Sequence, residues 1–238
     1  MSTLAILLWT LVLIGTIGIR ALTGVSLYRA GRAAGLDRPT SGKVAGWTTV
    51  VLLGWLAACV LLAYYGAFAS GPLAPVLVVA LLVAVLAGTR IPIVAKVLAA
   101  PGTAARLAWP QTVRVIGVLF LILMFTGNLS PLAALPPGLG DLAIGLAAPW
   151  VARALARGTG HRWAFWFNVL GIADLTFALA LRLVSGFVLG EPAGASGALP
   201  LALIPTAAVP LAVALHVVSL RRLAAEPRRT EMVGAATT

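Results

Sequence analysis

Hydrophobic positions in this chain come in long unbroken blocks, with no strand-like alternation inside them. Seven apolar stretches stand out, at about 3–19, 46–65, 72–88, 112–126, 139–152, 163–184 and 200–220. Runs of about 20 apolar residues, within a range of 17–25, suit a helix that crosses a bilayer. The fourth and fifth are short as pure apolar runs. They reach spanning length only by taking in Gln111 and Arg114 at one end and a Pro/Gly-rich segment at the other. The pattern predicts one all-α domain over 1–225, a bundle of seven transmembrane helices, and a disordered Arg/Glu/Thr-rich tail over 226–238. The segment Ile91–Trp109, with Lys96 and Arg106 among apolar residues, is expected to lie along one membrane interface.

Composition strengthens this picture. Of 238 residues, 61% are hydrophobic and 10% are charged, whereas a soluble domain carries about 25% charged residues. The polar surface is too small to cover a globule, which excludes a soluble fold.

Charge adds direction. Lys and Arg number 17 against 6 Asp and Glu, a net charge of +11. On a soluble protein such an excess points to nucleic acid; on a membrane protein it reports topology, because cytoplasmic loops collect Lys and Arg. Arg20, Arg29, Arg32, Arg38 and Lys43 follow the first stretch, and Arg90, Lys96, Arg106 and Arg114 follow the third. Arg153, Arg157 and Arg162 follow the fifth, and Arg221, Arg222, Arg228 and Arg229 follow the seventh. The other connections, Gly66–Gly71, Gly127–Gly138 and Ser185–Leu199, hold no cation. This alternation predicts the N-terminus outside and the C-terminus inside. No Lys or Arg precedes the first stretch and no cleavage site follows it, so it reads as a retained helix rather than a signal peptide. Trp47, Trp109, Trp150, Trp163 and Trp166 fall near the inner interface and Tyr64–Tyr65 near the outer one, the depth that amphipathic rings prefer. Arg outnumbers Lys 15 to 2, a bias of GC-rich coding. The expected location is a bacterial cytoplasmic membrane. The expected partners are the lipid bilayer and anionic lipids at the basic inner loops, with no nucleic acid. A homo-oligomer or another membrane partner is left open.

Candidate chemistry sits where lipid is expected, because ionisable residues there are costly and face the bundle interior. In the sixth stretch Asn168, Gly171, Asp174, Ala178 and Arg182 fall within about 120° of helix face. Phe165, Val169, Ile172, Phe177 and Leu183 occupy the other side. Asp174 is the only acid expected near the middle of a span, with no cation beside it. It reads either as hydrogen-bonding glue between helices or as part of a proton or solute pathway. The loop 127–141, which contains Asn128, is interrupted by Pro136, Pro137, Gly138 and Gly140, residues that oppose helix formation. It is expected to dip into the outer leaflet and to place Asp141 in the first turn of the fifth helix, as a cap or as a site-forming acid. Antiparallel fifth and sixth helices would bring Asp141 and Arg182 to similar depth, as an ion pair. On the inner side Arg114, Asn168 and His216 would form a second polar cluster. Pro205 and Pro210 are expected to kink the seventh helix.

Several chemistries are argued against. The single Cys59 has no disulfide or ligand partner in the chain. Two histidines, His161 in a loop and His216, do not make a bis-histidine haem site. Lys43 and Lys96 lie in inner loops, which removes a retinal Schiff base. No phosphate loop, zinc-protease motif or nucleophile elbow is present. No cofactor, metal ligand or catalytic residue is expected, and an enzyme is the less favoured class.

Three pieces share a spacing. They are Gln111-Thr-Val-Arg114-x-x-Gly117, Pro136-Pro-Gly138-Leu-Gly140-Asp141-x-x-x-Gly145, and Asn168-x-x-Gly171-x-x-Asp174. This pattern, over about a quarter of the chain, resembles uncharacterised bacterial multi-pass membrane proteins. The resemblance implies no activity; it marks the second half as the core of such a family. The leading functional reading is a small-solute or proton-coupled transporter. Its polar site lies in the fourth to sixth helices, built from Arg114, Asn128, Asp141, Asn168, Asp174 and Arg182. The alternatives are a non-catalytic membrane subunit or assembly factor, and a membrane-embedded enzyme acting on lipid. A polar cavity reaching Asp174 would favour the first. A bare small-residue face at Gly15/Gly18 or Gly46/Gly54 would favour the second, and a laterally open pocket beside Arg114 or Arg182 the third.

Overall fold

The computed structural model describes residues 2–68, 73–187 and 198–225. The expected tail and most of the connection 185–199 lie outside them. Every regular element among the described residues is helical: α1 (Thr3–Ala33), α2 (Arg38–Tyr64), α3 (Leu73–Gly88), α4 (Pro92–Leu98) and α5 (Thr103–Ala108), then a 3-10 segment (Trp109–Gly117), α6 (Val118–Phe125), α7 (Pro131–Ala156), α8 (His161–Phe187), a π segment (Ile204–Ala208) and α9 (Val209–Ala225). Six helical stretches are long and apolar enough to cross a bilayer, or seven if the pair Pro75–Gly88 and Pro92–Leu98, bent by 83°, makes one span. Ile14, Val51, Val79, Leu146 and Phe177 each expose more than half of their surface. Such a coat is a liability in water and is compatible with a multi-pass membrane protein.

The helices begin and end elsewhere than hydropathy alone predicts. α1 does not stop at Ile19. It runs through Arg20 to Ala33, and Arg20 is completely buried. The buried positions Val12, Thr16, Ile19, Thr23, Leu27 and Ala30 recur every three or four residues, so one continuous face packs inward. α2 then starts at Arg38, capped by the Asp37 carboxylate, which accepts from the Thr40 N–H at 3.3 Å. The expected loop between them shrinks to a few residues. α1 and α2 approach closely because Gly24 and Gly31 carry no side chain; a Cβ on them would meet Thr49 Oγ1 at 2.5 Å and Ser41 Oγ at 2.9 Å.

The fourth apolar stretch also starts early. α5, the 3-10 segment and α6 form one stretch from Thr103 to Phe125, so Arg106 stands inside it rather than in an interfacial segment. α7 is the largest departure. It starts at Pro131 behind a Ser130 cap and continues through Pro136 and Pro137, where the sequence predicts a break. Each proline lacks the N–H that would bond four residues back, which leaves the Leu132 and Ala133 carbonyls without their usual partner. Those residues lie at the exposed start of the helix. Ala134 and Gly138 pack inward against α6; a Cβ on Gly138 would meet Leu121 Cδ2 at 2.8 Å. Tertiary packing holds the helix where local propensity would end it.

The interior divides into clusters stacked along the bundle. One joins α1, α2, α4, α8 and α9 through Ile19, Leu52, Val97, Leu175 and Leu215. Another joins α1, α2 and α6 through Val12, Leu56, Cys59, Leu119 and Leu123.

Candidate functional site

The 3-10 segment aims the residues that matter. Side chains three apart eclipse in a 3-10 helix, and runs of more than three or four residues are uncommon. This one covers nine residues, and Gln111, Arg114 and Gly117 are all buried on one line. In an α-helix at about 100° per residue, Gln111 and Gly117 would diverge by about 120°. Gly145 of α7 supports the segment. A Cβ there would collide with the Val115 backbone nitrogen, so main chain meets main chain.

Arg114, 5% exposed, is the centre of a network over four elements. Its Nε–H donates to Asp141 Oδ1 on α7 at 2.6 Å. Its Nη2 donates to Asp174 Oδ2 on α8. Its Nη1 lies 3.2 Å from His216 Nε2 on α9. A guanidinium only donates, so Nε2 accepts and His216 is a neutral imidazole with its proton on Nδ1. That proton is given to Asn168 Oδ1 at 2.9 Å. The Asn168 amide donates in turn to the Ala164 carbonyl at 2.7 Å. Every donor meets an acceptor along this chain, which assigns both the imidazole tautomer and the amide orientation.

Glycines make the room. A Cβ on Gly140 would collide with Asp174 Oδ1, and one on Gly117 with Asp141 Cβ. A Cβ on Gly171 would collide with His216 Nε2. Three of the five glycines in the shared spacing, Gly117, Gly140 and Gly171, are therefore the seats of network side chains.

The structure merges what the sequence separates. The expected contacts among Arg114, Asn168 and His216 form, and the cluster also takes in both acids. The expected Asp141–Arg182 pair does not form. Because α7 starts at Pro131, Asp141 lies about 15 Å along it rather than in its first turn, at the depth of Asp174. Arg182 is eight residues, about 12 Å, further along α8. It is half-buried and makes no ion pair or hydrogen bond among the described residues. Asp174 does have a cation beside it, contrary to expectation. Asn128 is exposed in the turn after α6 and donates only to Thr126. It is not part of the network.

Two features escape a reading of the sequence. Gln111 is 1% exposed; its amide donates to the Ala212 carbonyl at 3.0 Å, and its Oε1 has no partner. The spacing of three before Arg114 is the signal that could have found it. The other is Arg20, whose Nε and Nη2 donate to the Leu52 and Ala207 carbonyls, both at 2.9 Å, and whose Nη1 donates to the Thr16 carbonyl. Among the described residues it has no carboxylate partner. A proline frees one acceptor on the neighbouring π segment. Pro210 has no N–H for the Thr206 carbonyl, which accepts instead from Trp55 Nε1 at 3.1 Å. The prolines expected to kink this helix widen it into a π turn.

A crevice of about 40 Å³ opens beside the network. Thr16 and Ile19 of α1 form one wall, Ile116 and Gly117 another, and Ile204 and Ala208 of the π segment a third; Arg114 and Asp141 also reach it. A cavity that holds a drug-sized ligand measures about 300–1,000 Å³, so this one suits water-sized guests. The Arg114 guanidinium stands between the two carboxylates, where a metal ion bridging them would have to sit. Among the described residues no three His, Cys, Asp or Glu side chains are placed to hold a metal ion.

No curated protein and no solved structure matches this chain. One family profile matches residues 71–224, a stretch that contains Gln111, Arg114, Asp141, Asn168, Asp174 and His216. The chain belongs to that family, the domain of unknown function DUF8737.

Proposed function

We propose that this is a proton-handling membrane protein. Its six or seven long apolar helices lie in a bacterial cytoplasmic membrane with the N-terminus outside, and the Arg114–Asp141–Asp174–His216–Asn168 network takes up and releases one proton. The observation that carries the reading is the charge count of the network. Two carboxylates share one guanidinium, and the imidazole is neutral. With both carboxylates ionised, the cluster bears one uncompensated negative charge among buried groups, which is costly in a bilayer. One proton removes it. Arg20 makes no ion pair with either carboxylate.

The basic connections support the orientation. Arg20 and Arg114 leave the count, being buried in the bundle, but the cations near Gly35, Gly158 and the end of α9 still alternate with uncharged turns. Reporter fusions at Gly127 and Gly158 should report opposite sides of the membrane; the same side would end the topology.

The proton reading is tested by infrared spectroscopy of the protein in nanodiscs. A carboxylic C=O band should appear and disappear with pH, and Asp141→Asn or Asp174→Asn should remove or shift it while the protein stays folded and inserted. In proteoliposomes, Asp174→Asn should abolish proton flux. A stable Asp174→Asn protein with full flux and an unchanged band would reduce the network to glue.

A second reading has its own support. Gly42, Gly46 and Gly54 of α2 have nothing within 4 Å of the position a Cβ would take, so this small-residue face is bare and favours a subunit that packs on another helix. Gly15 and Gly18 do not serve this purpose, being packed on Ile116 and Val113. The lipid-enzyme reading has less support, because the crevice beside Arg114 is far too small for an acyl chain.

A further inference from the structure

The crevice beside Asp141 is bounded by two departures from α-helical geometry on different parts of the chain. The 3-10 segment contributes Ile116 and Gly117, and the π segment contributes Ile204 and Ala208. Irregular backbone at bilayer depth is tolerated where it is buried in protein or lines a wet cavity, and both kinds of irregularity recur at functional sites. Asp141 reaches this crevice while only its Oδ1 is engaged by Arg114. Arg114 uses three of its five N–H donors on Asp141, Asp174 and His216. Thr16 donates its hydroxyl proton to the Val12 carbonyl at 2.7 Å, and its oxygen lone pairs remain able to accept. A water molecule needs about 10–15 Å³ of such space and two to four polar partners. At about 40 Å³ the crevice has room for two or three. The rest of its wall is apolar, which concentrates any water at the Asp141 end.

We infer that this crevice is a binding site for a short file of water molecules, through which the proton reaches Asp141. The inference rests on the proton-handling reading and adds a route to it. The step is a simple exchange: a hydronium in the crevice gives one proton to the carboxylate of Asp141 and becomes water, and the reverse step returns it. Ala208 lines the route on the π segment. Gly117 lines it beside Asp141, since a Cβ there would collide with Asp141 itself.

Two measurements on the full chain in nanodiscs test the route. In a Cys59→Ser background, Ala208→Cys should react with silver ion added in water. Leu146→Cys, on an apolar surface that is 60% exposed, should react at least tenfold more slowly. In the second measurement Ala208→Leu fills the crevice. The pH-dependent carboxyl band should keep its amplitude, while its rate of change after a pH jump should fall by tenfold or more. An Ala208→Leu protein that folds and exchanges at the wild-type rate would overturn the route. If that variant does not fold, the silver reaction decides, and an Ala208→Cys thiol no more reactive than the Leu146→Cys thiol overturns it equally. Failure of the parent reading looks different, because the wild-type protein would then show no pH-dependent carboxyl band at all.

Discussion

Two arginines are buried among the described residues, and they are held in opposite ways. Arg114 meets two carboxylates and an imidazole, delivered by three different helices. Arg20 meets three main-chain carbonyls and no acid among the described residues. The contrast separates a tunable site from a fixed one. Every partner of Arg114 can change its protonation, so the charge of that cluster is variable. Carbonyl oxygens do not titrate, so Arg20 has constant surroundings and serves to tie α1 to α2 and to the π segment. The π segment takes part through the Ala207 carbonyl.

The sharpest way to break the comparison is to remove each arginine. Arg114→Leu leaves two carboxylates buried without a cation and should cost about 3–5 kcal/mol. Adding Asp141→Asn and Asp174→Asn should recover most of that loss, since no uncompensated charge is left. Arg20→Leu should cost about 1–3 kcal/mol, the penalty of stranded buried acceptors, and no acid substitution should recover it. Reversible unfolding in mixed micelles measures both. A cycle of Arg20→Leu with Asp174→Asn should be additive within about 0.5 kcal/mol, whereas Arg114 with Asp174 should couple by more. Coupling of Arg20 to Asp174 as strong as that of Arg114 would erase the distinction.

The glycine seats give the next largest effect. Gly140→Ala drives a methyl into Asp174 and should cost about 1–3 kcal/mol. Gly46→Ala meets nothing within 4 Å and should be neutral or stabilise by up to about 1 kcal/mol, as expected for a helical glycine without a packing role. Equal costs at the two positions would mean that the seats do not constrain the network.

A spectroscopic readout sharpens the contrast without changing stability. Nitrogen-15 NMR should find His216 neutral, with its proton on Nδ1, while Arg114 is in place. An imidazolium, or a proton on Nε2, would contradict the Arg114 contact.

The smallest effect serves as a control outside the network. Hydrogen bonding from Thr40, by its side chain first and its backbone second, holds the exposed Asp37 carboxyl below its ordinary range. Its stabilising contribution is therefore present above that range and is lost as pH falls through the lowered value. Asp37→Asn should flatten the acid limb of the melting curve slightly and leave the network's carboxyl band unchanged.

Hydropathy located the apolar helices because apolar character over about 20 residues is a property of composition. It misplaced their ends wherever packing outvoted propensity. Arg20 looks like the first residue of a loop, since nothing in the local sequence tells a snorkelling arginine from one seated on carbonyls 32 and 187 positions away. Pro136 and Pro137 look like a stop, and they would be one in isolation; contact with α6 through Gly138 overrides them. That single extension moves Asp141 from a helix cap to the middle of the bundle and changes its partner from Arg182 to Arg114.

By itself, then, the sequence determined the helical class, the number of long apolar stretches to within one, and the presence of Asp174 within one of them. It also marked the spacing of glycines and polar residues between Gln111 and Asp174, since residue type and short-range interval are written directly in the chain. Only the tertiary structure decided which charges meet. An ion pair closes over a few ångströms between helices that are remote in sequence, and the depth of each side chain depends on where its helix begins, how it is wound and how closely glycine lets the next backbone approach.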